Sequence, residues 1–341
     1  MRSLSDGALE RLRGVGSVPD LTGTHYRLLA RVARGGMGVV YAVEDARLGR
    51  RVALKALDLP DPTGDLEARL IREARVLAGL EHPGIVPVHD VGRLSDGRVF
   101  YAMKFVEGKQ LDEHVAAVAS LPERLRVFLR ICDAVAFAHA RGVLHRDLKP
   151  ANVMLGPFGE VLVMDWGLAK VLGEGTSRGE GTSRQDAGCA WDARPESIAG
   201  LAPQPRGTER AVSAAGTAHG AVIGTPGFMS PEQASGDLDR VDTRSDVYSL
   251  GAILRFLGTG DLPRALAAIC AKATIAEPNE RYASVGELAA DVSRFLDALP
   301  VAAYRENLLE KAMRLYSRNR PAVLLIAAYL GLRLLLLALR H

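Results

Sequence analysis

The chain has 341 residues, enough for two lobes and a tail, and its formal net charge of only +3 gives no basis for a nucleic-acid partner. Three cysteines, Cys132, Cys189 and Cys270, lie too far apart for a metal site, and Cys132 and Cys270 sit in apolar helical contexts as buried thiols, which suits a reducing cytoplasm. Hydrophobic residues make up 48% and concentrate at the C-terminus, while the N-terminus lacks a signal-peptide core.

Residues 1–24 mix Ser, Gly, Arg and Asp with little periodicity and read as a flexible leader. Segments 32–43 and 51–57 are predicted strands, Val-rich and bounded by Gly and Pro. Over 66–80, Leu66, Leu70, Ala74 and Leu77 recur at helical spacing. Two more strands, 86–91 and 99–106, flank a Ser95-Asp96-Gly97 turn. Residues 25–107 thus read as a small antiparallel-sheet lobe with one helix.

From residue 108 the pattern turns helical. Segment 122–141 carries a stripe of Leu125, Phe128, Leu129, Cys132, Val135, Ala136 and His139, placed to pack under the loop that follows. Segments 247–257, 262–273 and 284–299 are also predicted helices, so residues 108–299 read as a mainly helical lobe, and the fold class is α+β. Residues 173–219 interrupt it. They contain Gly-Glu-Gly-Thr-Ser-Arg twice, at 173–178 and 179–184, and are otherwise mostly Ala, Gly, Ser, Pro and Arg. Such a stretch cannot bury enough apolar surface to offset ordering entropy, and is expected to be a disordered insertion.

The chemistry concentrates in His145-Arg146-Asp147-Leu148-Lys149-Pro150-Ala151-Asn152, followed thirteen residues later by Asp165-Trp166-Gly167. Phosphoryl transfer needs a carboxylate to orient a hydroxyl and take its proton. It also needs a Lys on the moving phosphoryl group, and an amide oxygen plus a second carboxylate for magnesium. Upstream lie Gly35-Gly36-Met37-Gly38 and Val52-Ala53-Leu54-Lys55; downstream lie Gly224-Thr225-Pro226 through Ser230-Pro231-Glu232, then Asp246 and Arg281. In these motifs and their order the chain resembles the bacterial eukaryotic-like Ser/Thr protein kinases over residues 25–299.

The resemblance implies a bilobal protein-kinase-like fold and ATP-dependent transfer of the γ-phosphoryl group to Ser/Thr hydroxyls of proteins, with Mg2+ (or Mn2+) as cofactor. Autophosphorylation would make a homodimer a further partner. Asp147 becomes the catalytic carboxylate and Lys149 its companion; Lys55 pairs the phosphates and is oriented by Glu73. Asn152 and Asp165 become the metal ligands, oxygen donors as a hard cation requires. Val32, Gly35, Gly36, Met37, Gly38, Val40, Ala53, Met103, Lys104, Val106 and Met154 line the nucleotide site. Thr225 would touch Asp147, Glu232 would pair with Arg281, and Asp246 would anchor the catalytic loop. Arg146, beside Asp147, is a cation that phosphate on the activation segment could pair with, Thr217 being the first candidate.

Three departures stand out. Ala33 replaces the first loop glycine, Trp166 replaces a Phe, and only 35 residues separate Asp246 from Arg281, too few for the additional substrate-docking helix usual there. They leave open a rival reading, a degenerate kinase serving as a nucleotide-binding or scaffold module. A small-molecule kinase is a weaker third reading.

Residues 321–339 hold nine Leu, one Ile and one Val, with a single charge, Arg333. At 1.5 Å per residue they would span roughly 28 Å, about a bilayer core. The apolar side chains contribute roughly −3 to −7 kcal/mol against roughly 2.5–3.5 for Arg333. Arg305, Lys311, Arg314, Arg318 and Arg320 precede the segment, making 300–320 a basic juxtamembrane stretch. The expectation is a single-pass transmembrane helix holding the kinase lobes on the cytoplasmic side of the cell membrane; a buried or interfacial helix is the alternative.

Overall fold

A computed structural model describes residues 18–35, 38–58, 63–115, 120–166, 170–171, 227–237 and 239–305, with a few isolated positions besides. Most of the leader, Gly36, Met37, Gly167, Thr225, the 173–219 insertion and nearly all of 321–339 lie outside the described residues.

The first lobe is a five-stranded antiparallel sheet in the order β1-β2-β3-β5-β4. Its strands are β1 (Tyr26–Gly35), β2 (Gly38–Asp45), β3 (Arg50–Ala56), β4 (Val88–Arg93) and β5 (Val99–Lys104). The stretch predicted as one strand over 32–43 is a hairpin in which Gly35 pairs with Gly38. A side chain at Gly38 would run into the Ala56 carbonyl, so only glycine lets β2 leave the turn. Strand β1 also begins six residues earlier than the predicted 32. It lies at the sheet edge and is exposed beyond Tyr26, so it lacks the one-sided alternation that marks a strand.

Alternation along β3 sorts the sheet's two faces. Val52, Leu54 and Ala56 join Val39, Tyr41, Val43, Phe100 and Ala102 in one cluster. Ala53, Tyr101 and Met103 face the main core, which continues into the second lobe. Helix α1 (Asp65–Ala78) packs on β4 and β5 and buries Leu70, Glu73, Ala74 and Leu77. A buried Glu on that apolar stripe requires a partner.

The second lobe is mainly helical. After the short β6 (Lys109–Gln110) and α2 (Leu111–Val115) comes α3 (Leu121–Ala140). Ser120 caps α3 by accepting from the Glu123 N–H, Pro122 fits its first turn, and its buried stripe runs from Leu125 to Ala138. Strands β7 (Val143–Leu144), β8 (Val153–Leu155), β9 (Val161–Val163) and β10 (Lys170–Val171) carry the loops of the site. Then follow α4 (Pro231–Ala234), α5 (Thr243–Leu257), α6 (Arg264–Ala273) and α7 (Val285–Leu296). Helix α3 packs against α5 and α7. Among the described residues no helix stands between α5 and α6; residues 258–263 join them directly, as the short spacing to Arg281 implied. No helix of the described residues is long and apolar enough to cross a membrane.

Candidate active site

Lys55 sits on the inner face of β3, directly across from Val40 on β2 and Tyr101 on β5. Its ammonium donates to both oxygens of Glu73, at 2.7 and 2.9 Å, and to Asp165 at 3.3 Å. Burial works against the ammonium charge, but Glu73 and Asp165 outweigh it and hold Lys55 above the ordinary lysine range. The Tyr101 hydroxyl donates to Glu73 at 2.9 Å and gives this buried carboxylate a second partner. Burial, and then the Glu73 charge, push the Tyr101 phenol well up. Sequence reasoning missed Tyr101; the signal was a Tyr inside an apolar strand whose hydroxyl needs a buried acceptor.

The loop that carries Asp147 hangs from α5. Asp246, buried and near the N-terminus of that helix, accepts from the backbone N–H groups of His145 and Arg146, each at 2.9 Å, and from His139 Nε2 at 2.7 Å. Burial alone would raise this carboxyl; the His139 bond and nearby imidazoles hold it below the usual range, so it stays charged. These bonds fix Arg146 at φ 68, a left-handed conformation rare for a non-glycine residue. His145 Nε2 lies 2.9 Å from the Met164 carbonyl, which can only accept, so Nε2 carries the proton and Nδ1 accepts from the Asp147 N–H at 3.3 Å.

Asp147 therefore emerges from a backbone held on both sides. Lys149 Nζ donates to its Oδ2 at 2.8 Å. Asn152, on the short 3-10 turn Pro150–Asn152, donates from Nδ2 to the Asp147 carbonyl at 2.8 Å and to Oδ2 at 3.2 Å. With its nitrogen so used, the Asn152 side-chain oxygen remains as an acceptor. The Met164 N–H bonds the Asn152 carbonyl at 2.8 Å, which sets Asp165 beside this turn. Asp165 is itself left-handed, at φ 57, and half-exposed. Burial of its surroundings would raise the carboxyl, but Lys55 dominates and lowers it, so Asp165 is ionised. Trp166 fills the core beneath, donating to the Val163 carbonyl at 3.3 Å and packing its ring 4.6 Å from His145.

Of the predicted nucleotide-lining residues, Ala53 and Met103 are buried and directly paired across β3 and β5. Val40, Val106 and Met154 are half-buried, while Val32, Gly35 and Lys104 are exposed. Gly36 and Met37 lie outside the described residues. Ala33 pairs with Val40 just after a register shift in β1, so the strand admits this side chain. Among the described residues no three His, Cys, Asp or Glu side chains form a metal cluster. Asn152 and Asp165 could offer two oxygens, the small protein share that magnesium takes when phosphates and water complete its shell.

Behind the site, α4 is locked to the core. Arg281 meets Glu232 with two parallel bonds of 2.8 Å, and Ser245 Oγ donates to the same carboxylate at 2.6 Å. Burial would raise Glu232, yet Arg281 and Ser245 bring it down to about 2. Gln233 Nε2 donates to the Arg146 carbonyl at 2.7 Å, tying α4 to the catalytic loop.

Residues 26–277 match the protein kinase domain family. A probable serine/threonine-protein kinase of Streptomyces coelicolor is 36% identical over 322 residues, which cover 84% of this chain and 42% of that protein. Serine/threonine-protein kinase PknD of Chlamydia trachomatis is 30% identical over 347 residues, covering 88% of this chain and 34% of that protein. The chain thus spans well under half the length of these curated relatives. The crystal structure of the Mycobacterium tuberculosis PknI kinase domain superposes with a TM-score of 0.54 at 25% identity, covering 83% of this chain and all of that domain.

Proposed function

The chain belongs to the protein kinase domain family, and on that premise we propose that it is a Ser/Thr protein kinase acting on protein hydroxyls and on its own activation segment. The observation that carries this reading is the Lys55 ammonium held between Glu73 and Asp165, one lobe's cation on the other lobe's carboxylate.

In this reading ATP is the phosphoryl donor and a protein Ser or Thr the acceptor. Asp147 aligns the hydroxyl and takes its proton as the oxygen bonds the γ-phosphorus; the bond to the bridging oxygen breaks, and ADP leaves with that electron pair. Lys149, which donates to Asp147, takes the role of holding the moving phosphoryl group, and Lys55 that of holding the other phosphates. Asn152 and Asp165 would hold Mg2+, which supplies charge neutralisation at the phosphates. An ionised Asp165 and a free amide oxygen fit a hard cation.

Autophosphorylation draws support from Arg146. It is buried, and among the described residues its Nε has no acceptor. Burial, partly offset by Asp246, pulls it below the usual guanidinium range, so an added phosphate would relieve it. The single-pass anchor over 321–339, the cytoplasmic placement of the lobes and a homodimer for trans-phosphorylation complete the proposal. The first two rest on the apolar tail and the basic residues before it, the third on the family. The shortened α5–α6 connection favours the rival scaffold reading. Radiolabelled phosphoryl transfer by the full chain in detergent, with Asp147→Asn as control, separates the two. Incorporation that survives in Asp147→Asn, or none in the wild type, would sink the enzyme reading.

A further inference from the structure

Asp291 on α7 is 1% exposed and takes no part in the chemistry above. Its carboxylate accepts from the Tyr282 hydroxyl at 2.9 Å, from the backbone N–H groups of Ala302 and Ala303 at 2.8 and 3.0 Å, and from Arg294 Nη1 at 3.3 Å. A carboxylate offers about four acceptor positions, so this one is saturated by protein donors. Two of them are main-chain groups from beyond the last helix of the lobe. The chain reverses there: Ala298 adopts φ 52 and the Leu299 N–H bonds the Arg294 carbonyl at 2.8 Å. Val301 is then buried, and Ala303 and Tyr304 pack against the main core. Residues 300–304 therefore do not leave α7 as a loose linker, and they lie outside the 26–277 family match.

Tyr282 is the chain neighbour of Arg281, whose guanidinium holds Glu232 on α4. Gln233, next in α4, bonds the catalytic-loop carbonyl of Arg146. Hydrogen bonds and chain-neighbour links thus run from the Ala302 and Ala303 amides through Asp291, Tyr282, Arg281, Glu232 and Gln233 to the loop that carries Asp147. A contiguous set of bonds gives coupling only if a change at one end alters the other, and such coupling must be reciprocal.

We infer that residues 300–304 form a strap clamped by Asp291, through which the exit of the chain toward its C-terminal segment is coupled to the seating of α4 on the catalytic loop. A pull on that exit, or a partner that captures it, would loosen α4. The inference concerns order rather than turnover, so it stands or falls independently of the proposed activity.

Hydrogen exchange read by mass spectrometry on the full chain in detergent tests it. In the wild type the amides of 302 and 303 should be protected. Asp291→Asn should speed exchange in 300–304 by about tenfold and in 231–237 by about threefold, leaving the α1 amides unchanged. Reciprocally, Glu232→Gln should speed exchange at 302 and 303. If Asp291→Asn speeds exchange everywhere, α1 included, Ala303→Pro removes one strap donor more gently and should give the same two-region pattern. Unprotected amides at 302 and 303 in the wild type would overturn the strap. Release of the strap with 231–237 unchanged, in either variant, or no response of 302 and 303 to Glu232→Gln, would overturn the coupling.

Discussion

Lys55 with Glu73 in the first lobe and Arg281 with Glu232 in the second are buried cation–carboxylate pairs, and the two are finished differently. Arg281 spends all five of its donors: two on Glu232, one each on the carbonyls of Arg244, Ile275 and Ala276. Among the described residues Lys55 spends its hydrogen bonds on carboxylates, Glu73 and Asp165, and Asp165 is half-exposed. A saturated pair resists change, since removing one member leaves an uncompensated charge. A pair of one cation between two carboxylates carries surplus negative charge to which a further ligand can add. The first is a rivet, the second has room for a further ligand, and burial alone would not have told them apart.

The sharpest way to break this contrast is to remove each cation in turn. On the proposed function, in which its charge acts on the phosphates, Lys55→Met should lower phosphoryl transfer by about 10²–10³-fold or more. Its stability cost should stay near 1–3 kcal/mol, since Glu73 keeps its bond from the Tyr101 hydroxyl. Initial rates and urea denaturation on the same preparation give both numbers. Wild-type turnover in a folded Lys55→Met protein would remove Lys55 from the chemistry. Arg281→Met should do the reverse in stability, costing about 3–5 kcal/mol because Glu232 is left buried and charged. A cost below ~1 kcal/mol would mean that the rivet bears no load.

Acid sharpens the comparison further. The Glu232 carboxyl is held at about 2 against an ordinary value of 4.5. A depressed carboxyl contributes stability that is complete above its unfolded value and is lost as pH falls through its folded value. The Glu232 contribution is therefore full above pH 4.5 and drains away between about 4.5 and 2. Glu232→Gln should be less stable at neutral pH and show a shallower decline over that window in pH-dependent denaturation. Parallel declines in the two proteins would show that Glu232 titrates normally in the fold.

How far these features can be read from the sequence depends on the range of the interaction. The loop of Asp147 is legible because the proposed phosphoryl transfer demands particular side chains at short offsets, and Asp147, Lys149 and Asn152 do meet within one turn. Helices α1 and α3 are legible because a buried stripe must recur at the helical period. Strand β1 was placed late because an exposed edge strand needs no alternation, and Leu28 and Leu29 both stay accessible. Tyr101 and Asp291 were missed for another reason. Each acts on a partner fixed only by tertiary packing: Glu73, 28 residues away in sequence, and the strap amides 11 and 12 residues on. Local pattern carries no record of such pairings.

The smallest expected effect lies where composition alone makes the prediction. Residues 173–219 fall outside the described residues, and their duplicated Gly-Glu-Gly-Thr-Ser-Arg runs offer little apolar surface. If they contribute nothing to packing, their removal takes away no buried area, and shortening a loop changes closure entropy only slowly, by about 0.6 kcal/mol per halving. Deleting 175–217 should then shift Tm by no more than a few degrees, in either direction. The deletion also removes Thr217 while leaving Arg146 and the Gly224–Glu232 stretch intact. Phosphate mapping of the deleted protein after treatment with ATP therefore reads a second quantity. Phosphate that still appears and still raises the rate would move the switch away from Thr217. A Tm drop of ten degrees or more would show that the insertion packs on the lobes, and that a low-complexity composition had concealed a structural element.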